Sequence, residues 1–303
     1  MIGCNCILLM MMKKENTTNQ LRRSLSEISA IMYKIYVKWW VSARPMKESE
    51  RIAGNMYRMM IFKAKSIWLM TKGIIIVRTQ KGIIPAPSTM YPVLRSMYEL
   101  LFLFRCMFAS SKNDKERELL LNLWKIKGNN NLTQIPDGIL DEESANKRES
   151  ASAENEVARG EIRELMAELT MPQSAKNKIE NIIDPSKSFP TLKGFMFEHC
   201  EQSDNISDFC ALAFSDATMG GKLSGNQYIY SLYSAHSHPS CLGVKHFEEM
   251  YPNNEEEKYV KEVLTQACKY LGRFMKEFCE YRDSYRPFYE EKENRINILM
   301  NRI

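Results

Sequence analysis

The amino-acid sequence predicts an all-α protein. Its 303 residues include only 13 glycines and 11 prolines, and alternating β-forming residues are nearly absent. Apolar residues instead recur at the 3.6-residue period of helices. The stretch from about 90 to 110 is apolar on almost every face, which is typical of a buried helix. We therefore predict an irregular multi-helix bundle around this central helix.

Two amphipathic helices are predicted before the central one. The first runs from about Leu21 to Ser42, and the second from about Lys47 to Val77, with residues 74–77 as its last turn. Residues 81–87 then form a turn, after which Ser88 or Thr89 can cap the central helix. The two apolar stripes are Leu21, Leu25, Ile28, Ile31, Met32, Ile35 and Trp39, and then Ile52, Met56, Met59, Met60, Lys63, Ile67 and Met70.

The remainder of the chain is also predicted to be helical. Residues 116–126 form a short helix that Gly128 and the asparagines after it should stop. Residues 137–160 are polar and form either a solvated helix or a mobile linker, and their composition favours weak tertiary contact. A long amphipathic helix follows a loop at 240–254 and should end near Pro287. Further helices are predicted at 162–169, 175–183, 192–200, 208–217 and 228–239.

The predicted organisation is one helical domain over residues 21–285, with a polar insertion at about 128–160. Residues 1–20 are expected to be disordered or a mis-assigned N-terminus, since any of three consecutive methionines, Met10–Met12, could be the start. Residues 286–303 form a C-terminal tail. The apolar runs are too short to span a membrane, and the eight cysteines lack C-x-x-C spacing. We expect a cytoplasmic protein that makes no membrane contact.

Charge is distributed unevenly along the chain. Residues 1–128 carry 22 Lys and Arg against 8 Asp and Glu, whereas the remainder carries 20 against 29. A basic half suggests an acidic partner such as nucleic acid or phosphate. Alternatively, the two halves neutralise each other by packing together.

Arg95 and Glu99 are the first candidate site residues. They lie four residues apart in the apolar central helix, where a charge must find a partner or a cavity. Their spare donors and acceptors could serve a site, or they could form a buried polar clamp between helices.

The stretch 228–240 carries the second set of candidates. Tyr230, Ser234 and His238 recur at intervals of four, so a helix would stack them along one face, and Pro239 could end that helix. A histidine at a helix end beside Glu99 is a plausible general acid or base. It could equally be a structural group that bonds Glu99. We predict that this segment and the central helix meet.

Cofactor and metal sites are not predicted. His236 and His238 would diverge on a helix and could not chelate together, so His236, His238, Cys241 and His246 are not expected to form a metal site. The glycine pair at 220–221 precedes Lys222 but lacks the other residues of a phosphate-binding loop.

The chain resembles a family of bacterial all-helical domains of unknown function. The resemblance covers about residues 50–280 and consists of three segments. They are Phe62–Ile67 through Gly82, the motif L-R-x3-E at Leu94, Arg95 and Glu99, and the motif Y-S-x3-H-P-S at Tyr233, Ser234, His238, Pro239 and Ser240. It implies an intracellular bacterial protein that acts against phage or on RNA.

Two functional hypotheses follow. The first is a phage-defence effector, a nuclease or other phosphodiester or nucleotide hydrolase, with Arg95 holding phosphate, Glu99 orienting His238, and His238 as acid or base. Ser234 completes this catalytic set, and Tyr98, Tyr230 and Ser240 are assigned to binding. The alternative is a non-enzymatic helical interaction module that binds a protein partner or a second copy through its C-terminal helix.

Overall fold

The computed structural model confirms the all-α prediction. It describes residues 3–42, 45–73, 86–133, 141–187, 189, 191–238, 240–250, 255–281, 286–287 and 289–291. Within these ranges the two strands form one sheet, and all the other secondary-structure elements are helices. The chain divides into two compact units, one of Met1–Phe102 with Ser215–Ile303 and one of Leu103–Phe214. The single helical domain over residues 21–285, with an insertion at about 128–160, stays a prediction.

The first unit is built on three long helices that pack on one another: α1 (Gly3–Ser42), α2 (Glu48–Met70) and α10 (Glu256–Tyr281). Every residue of the predicted α1 stripe is buried, as is the stripe of α10. Their aromatic rings interlock, since the Phe278 ring lies 4.1 Å from that of Tyr57 and meets Trp39 edge-on at 5.9 Å. α1 begins at Gly3, well before the expected start at Leu21. The expected last turn of α2 lies outside the described residues.

The other helices of this unit carry the candidate site. They are α3 (Pro87–Phe104), α7 (Ala217–Ser224), α8 (Ile229–Ser237) and α9 (Cys241–Met250). α3 is followed directly by a π-helical turn over Arg105–Ala109. Most residues of α3 are buried, which confirms the prediction of a central apolar helix. The prediction of a loop at 240–254 is wrong for 241–250. There the Ser240 hydroxyl accepts from the Gly243 N–H at 3.0 Å and caps α9.

The second unit contains α4 (Asp114–Thr133), α5 (Glu142–Glu168), α6 (Gln173–Ile183), β1 (Gly194–His199) and β2 (Ile206–Leu212). Gly128 does not stop α4, and the polar segment after 141 is a helix in close contact with α4, so weak tertiary contact was a wrong prediction. Asp141 caps α5 by accepting from the Ser144 N–H at 2.8 Å. Small and apolar residues of α5 are buried, namely Ala151, Ala158, Ile162 and Met166.

The helices predicted at 192–200 and 208–217 are wrong over β1 and β2. The two strands pair antiparallel, with Phe195 opposite Ala211 and Phe197 opposite Phe209. The three phenylalanines are buried, because alternate residues of a strand point to the same face. The two-residue spacing of Phe195 and Phe197 indicates a strand, and the prediction of helices did not take it into account.

No described helix has both the length and the apolar character needed to cross a membrane. The described part of the 286–303 tail is limited to 286–287 and 289–291.

The contact between α1 and α2 generates a stability prediction. A Cβ on Gly54 would overlap the buried Trp39 ring, so Gly54→Ala must displace that ring. We expect the free energy of unfolding to fall by about 1–3 kcal/mol, the usual cost of overpacking a core. Urea unfolding followed by circular dichroism measures this change.

Gly160→Ala is the matched control. Gly160 lies inside α5, where an added Cβ would meet nothing within 4 Å. Alanine should raise stability there by up to about 1 kcal/mol, because it favours the helix. A Gly54→Ala protein as stable as the wild type would contradict the proposed steric conflict.

Candidate functional site

Two helices of the first unit bring the candidate residues together. Arg95 and Glu99 lie one turn apart on α3, while the neighbouring Leu94, Met97 and Tyr98 are fully buried. The Arg95 and Glu99 side chains are 20% and 26% exposed, so this edge of an otherwise buried helix reaches the surface. α8 supplies the groups that meet them there.

The Arg95 guanidinium is the hub of the cluster. Its Nε donates to Glu99 Oε1 at 2.8 Å, and Nη2 donates to the Tyr230 hydroxyl at 2.6 Å. Its Nη1 lies 3.2 Å from His238 Nε2. The Tyr230 hydroxyl also donates to Glu99 Oε1, at 3.2 Å. Carboxylate, phenol and guanidinium thus form a closed triangle, and the imidazole lies outside it.

These contacts decide the charge of the cluster. Burial disfavours the Arg95 cation, but Glu99 and Tyr230 outweigh it, so the pKa of Arg95 is raised above its ordinary value. Burial and then the Glu99 carboxylate raise the pKa of Tyr230, which therefore keeps its proton at neutral pH. The guanidinium is a fixed cation and the phenol a neutral donor.

His238 occupies an exposed position directly after α8. Its backbone is extended, with φ −129° and ψ 148°, so α8 ends at Ser237. Arginine can only donate hydrogen bonds, so Nε2 must be the acceptor in the contact with Arg95. Arg95, rather than the expected Glu99, contacts this histidine.

The other predicted residues have different surroundings. Ser234 is half-buried on α8, and its side chain makes no hydrogen bond to a described residue. Tyr98 is fully buried and packs 5.9 Å from the Tyr230 ring, so it supports that ring from inside the unit. The Ser240 hydroxyl donates to the Ala235 carbonyl at 2.9 Å and so joins α8 to α9.

Gly243 accounts for how closely α8 and α9 approach. A Cβ at this position would overlap the Ala235 carbonyl, so only glycine fits without a shift of backbone. Together with the Ser240 contacts, this approach fixes the chain on the C-terminal side of His238.

Lys63 is a site residue that the sequence analysis did not assign. It comes from α2, and its Nζ donates to Ser96 Oγ at 2.5 Å, beside Glu99. Burial lowers the pKa of Lys63, and the Glu99 carboxylate opposes this shift. Its position within the apolar stripe of α2 could have indicated this role, because a cation in an apolar stripe needs a partner.

A second group of side chains surrounds His236 on another face of α8. His236 Nε2 lies 2.6 Å from His246 Nδ1 of α9, and its ring stacks on Tyr91 at 4.4 Å. The His246 ring meets Tyr259 of α10 edge-on at 5.0 Å. His236 and His238 thus diverge, and the described residues contain no cluster of three or more His, Cys, Asp or Glu able to hold a metal ion.

The environment of His236 favours its neutral form. Burial, and then the proximity of His246, lower the pKa of His236 to about 4. Burial raises the pKa of the nearby Glu262. Burial and the Glu262 carboxyl also raise that of Tyr91. Neutral histidines can share one proton across the 2.6 Å contact, whereas two cations would repel each other.

The shift of His236 predicts a pH-dependent stability. The folded-state pKa near 4 lies below the ordinary 6.5, so the unfolded chain binds more protons between these values. The stabilisation is therefore complete above about pH 6.5 and is lost as the pH falls towards 4. Between pH 7.5 and pH 5 we expect the free energy of unfolding to fall by about 1–2 kcal/mol from this group. Urea titrations at the two pH values measure it.

His236→Gln isolates this contribution. Glu262 contributes with the opposite sign because its folded-state pKa is raised, so the comparison must be made between variants. The fall in stability should shrink in His236→Gln and persist in His238→Gln, whose side chain is exposed. The same fall in His236→Gln as in the wild type would refute the assignment.

Comparison with known proteins adds no further identification. No protein-family model, curated protein or solved structure matches this chain. The resemblance to the bacterial helical family therefore stays a prediction.

Proposed function

We propose that this chain cleaves a phosphodiester or phosphoanhydride bond in RNA or a nucleotide at the Arg95, Glu99, Tyr230 and His238 cluster. The observation that supports this proposal is the 3.2 Å contact between the Arg95 guanidinium and the exposed imidazole of His238. A cation can bind the phosphate, and an adjacent base can take a proton from the attacking oxygen. These are the two groups that metal-independent phosphate chemistry needs.

Arg95 suits the binding of phosphate. A guanidinium has five N–H donors, and three of them are used by Glu99, Tyr230 and His238. The other two contact no described acceptor, and the side chain is 20% exposed. The internal contacts hold the planar fork in one orientation while two donors stay available to phosphate oxygens.

His238 suits the role of general base. A phosphate oxygen bound at Arg95 would replace Nε2 as the acceptor and so free the Nε2 lone pair. Nε2 then takes the proton of an attacking 2′-hydroxyl or water as the new oxygen–phosphorus bond forms. The bond to the leaving oxygen breaks, and that oxygen takes a proton from solvent water. Glu99 contributes by holding Arg95 and Tyr230, a different role from the expected orientation of His238.

Charge and resemblance agree with an anionic substrate. The first 128 residues are strongly basic, and Lys63 adds a second cation beside Glu99. The resembled family implies an intracellular setting and a role in phage defence. An effector that damages RNA or depletes a nucleotide is one way to stop phage replication.

Purified variants test the proposed chemistry. The wild type should cleave at least one of labelled single-stranded RNA, single-stranded DNA and nucleoside triphosphates. His238→Ala and Arg95→Ala should each lower the rate by about 10²-fold or more, the usual contribution of an acid–base group. Gel electrophoresis and phosphate release measure the rates.

Ser231→Ala is the matched control, because Ser231 is an exposed residue of α8, the helix that directly precedes His238. It should cleave at the wild-type rate, and circular dichroism should confirm that all variants fold. In the bacterial host, the wild type should impair growth and RNA integrity more than His238→Ala does. A wild type inactive on all three substrates, or equal rates for His238→Ala and Ser231→Ala, would overturn the proposal.

A non-enzymatic interaction module is the second candidate. Exposed apolar residues of α1, Tyr33, Val37, Trp40 and Val41, recur at helical spacing and could contact another protein or a second copy. The expected interface through the C-terminal helix has less support, because the apolar stripe of α10 is buried against α1 and α2. An inactive wild type that self-associates, and whose Val37→Glu variant is monomeric by light scattering, would favour this candidate.

A further inference from the structure

A basic pocket lies in the first unit, apart from the residues of the proposed active site. It has a volume of about 440 Å³ and is bounded by the C-terminal end of α7, one face of α10 and Tyr289. This volume is within the range of small-molecule sites, roughly 300–1,000 Å³. The pocket therefore has the size of a ligand site.

The charges of this pocket are all of one sign. Lys222 of α7 and Lys269, Arg273 and Lys276 of α10 line it, and no lining residue is acidic. Outside the lining, the Glu280 carboxylate lies 3.8 Å from the Lys276 Nζ and offsets part of this charge. The three α10 residues follow helical spacing, and the neighbouring Leu271 is buried, so the helix holds the cations on one face. Clustered cations repel one another, and a bound anion relieves this repulsion.

At the α7 end of the pocket, Arg273 offsets the negative end of the helix dipole. The C-terminal end of a helix presents carbonyl oxygens, which repel negative charge. Arg273 Nη1 donates to the Lys222 carbonyl and covers one of these oxygens. This contact also orients the guanidinium, whose remaining N–H groups can reach a ligand.

The walls leave room beside the cations. An added Cβ at Gly221 or Gly225 would meet nothing within 4 Å, and Gly225 has a φ of 76°, which favours glycine. Tyr289 supplies an aromatic ring on which a nucleobase can stack. Cations for phosphate and a ring for a base together match a nucleotide better than a simple anion.

We infer that this pocket binds a nucleotide that carries two or more phosphates. The phosphates lie among Lys269, Arg273 and Lys276, and the base lies against Tyr289. This site is separate from the Arg95 cluster and does not depend on the function proposed for it.

The experiment measures nucleotide binding by the full-length chain in an Arg95→Ala background, so that the proposed active site contributes nothing. Isothermal titration calorimetry with ATP, ADP, adenosine and inorganic pyrophosphate provides the affinities. The test variant is Lys269→Gln with Lys276→Gln. The matched control is Lys258→Gln with Lys261→Gln, which removes the same charge from exposed positions of the same helix outside the pocket.

ATP and ADP should bind, pyrophosphate should compete with them, and adenosine should bind much more weakly. The test variant should raise the Kd for ATP at least about tenfold, the loss expected for one charge-assisted contact, while the control should change it less than about twofold. Equal affinities in the test and control variants would overturn the inference. So would binding of long RNA without binding of ATP or ADP, which would indicate a nucleic-acid surface. Neither result would bear on cleavage at Arg95.

Discussion

The pairing of the Arg95 guanidinium is the constraint on which the candidate site depends. The residues around Arg95 on α3 are mostly buried and apolar, so its positive charge needs a nearby carboxylate. Glu99 does this from one helical turn away and leaves the other donors of the fork for Tyr230 and His238 of the neighbouring segment. The same charge thus joins two distant parts of the chain and orients every polar group of the cluster. Loss of the arginine would leave the Glu99 carboxylate without its hydrogen-bonded cation, although Lys63 lies nearby.

The meeting of the two segments was predictable because charges in an apolar helix require partners. The detail was not, because the four-residue spacing of Tyr230, Ser234 and His238 assumes one continuous helix. α8 ends at Ser237, and the extended backbone of His238 takes its side chain out of helical phase. His238 therefore reaches Arg95 without Ser234, and the contact expected for Glu99 falls to the arginine.

The fold follows the sequence most closely where an apolar stripe is long. The stripe of α1 is buried at the predicted residues, and α10, predicted as a long amphipathic helix, also buries its apolar face. Prediction fails where few residues carry the signal or where packing outweighs local preference. Three phenylalanines determine the sheet, and the polar α5 is held by its capping aspartate and by small residues against α4. The basic pocket was not predicted because it combines the cations of α10 with Lys222 of α7 and with Tyr289, and folding brings these segments together.

The junction between α8 and α9 has a consequence for the conformational entropy of His238. Gly243 admits no side chain against the Ala235 carbonyl, and the Ser240 hydroxyl ties the two helices together. A residue that is exposed and outside regular structure usually samples many backbone states, but His238 has an anchored helix on either side. Its imidazole is exposed to solvent, yet little conformational freedom is left to lose if a ligand binds there. Surface access and pre-organisation are thus combined by a steric restriction several residues away.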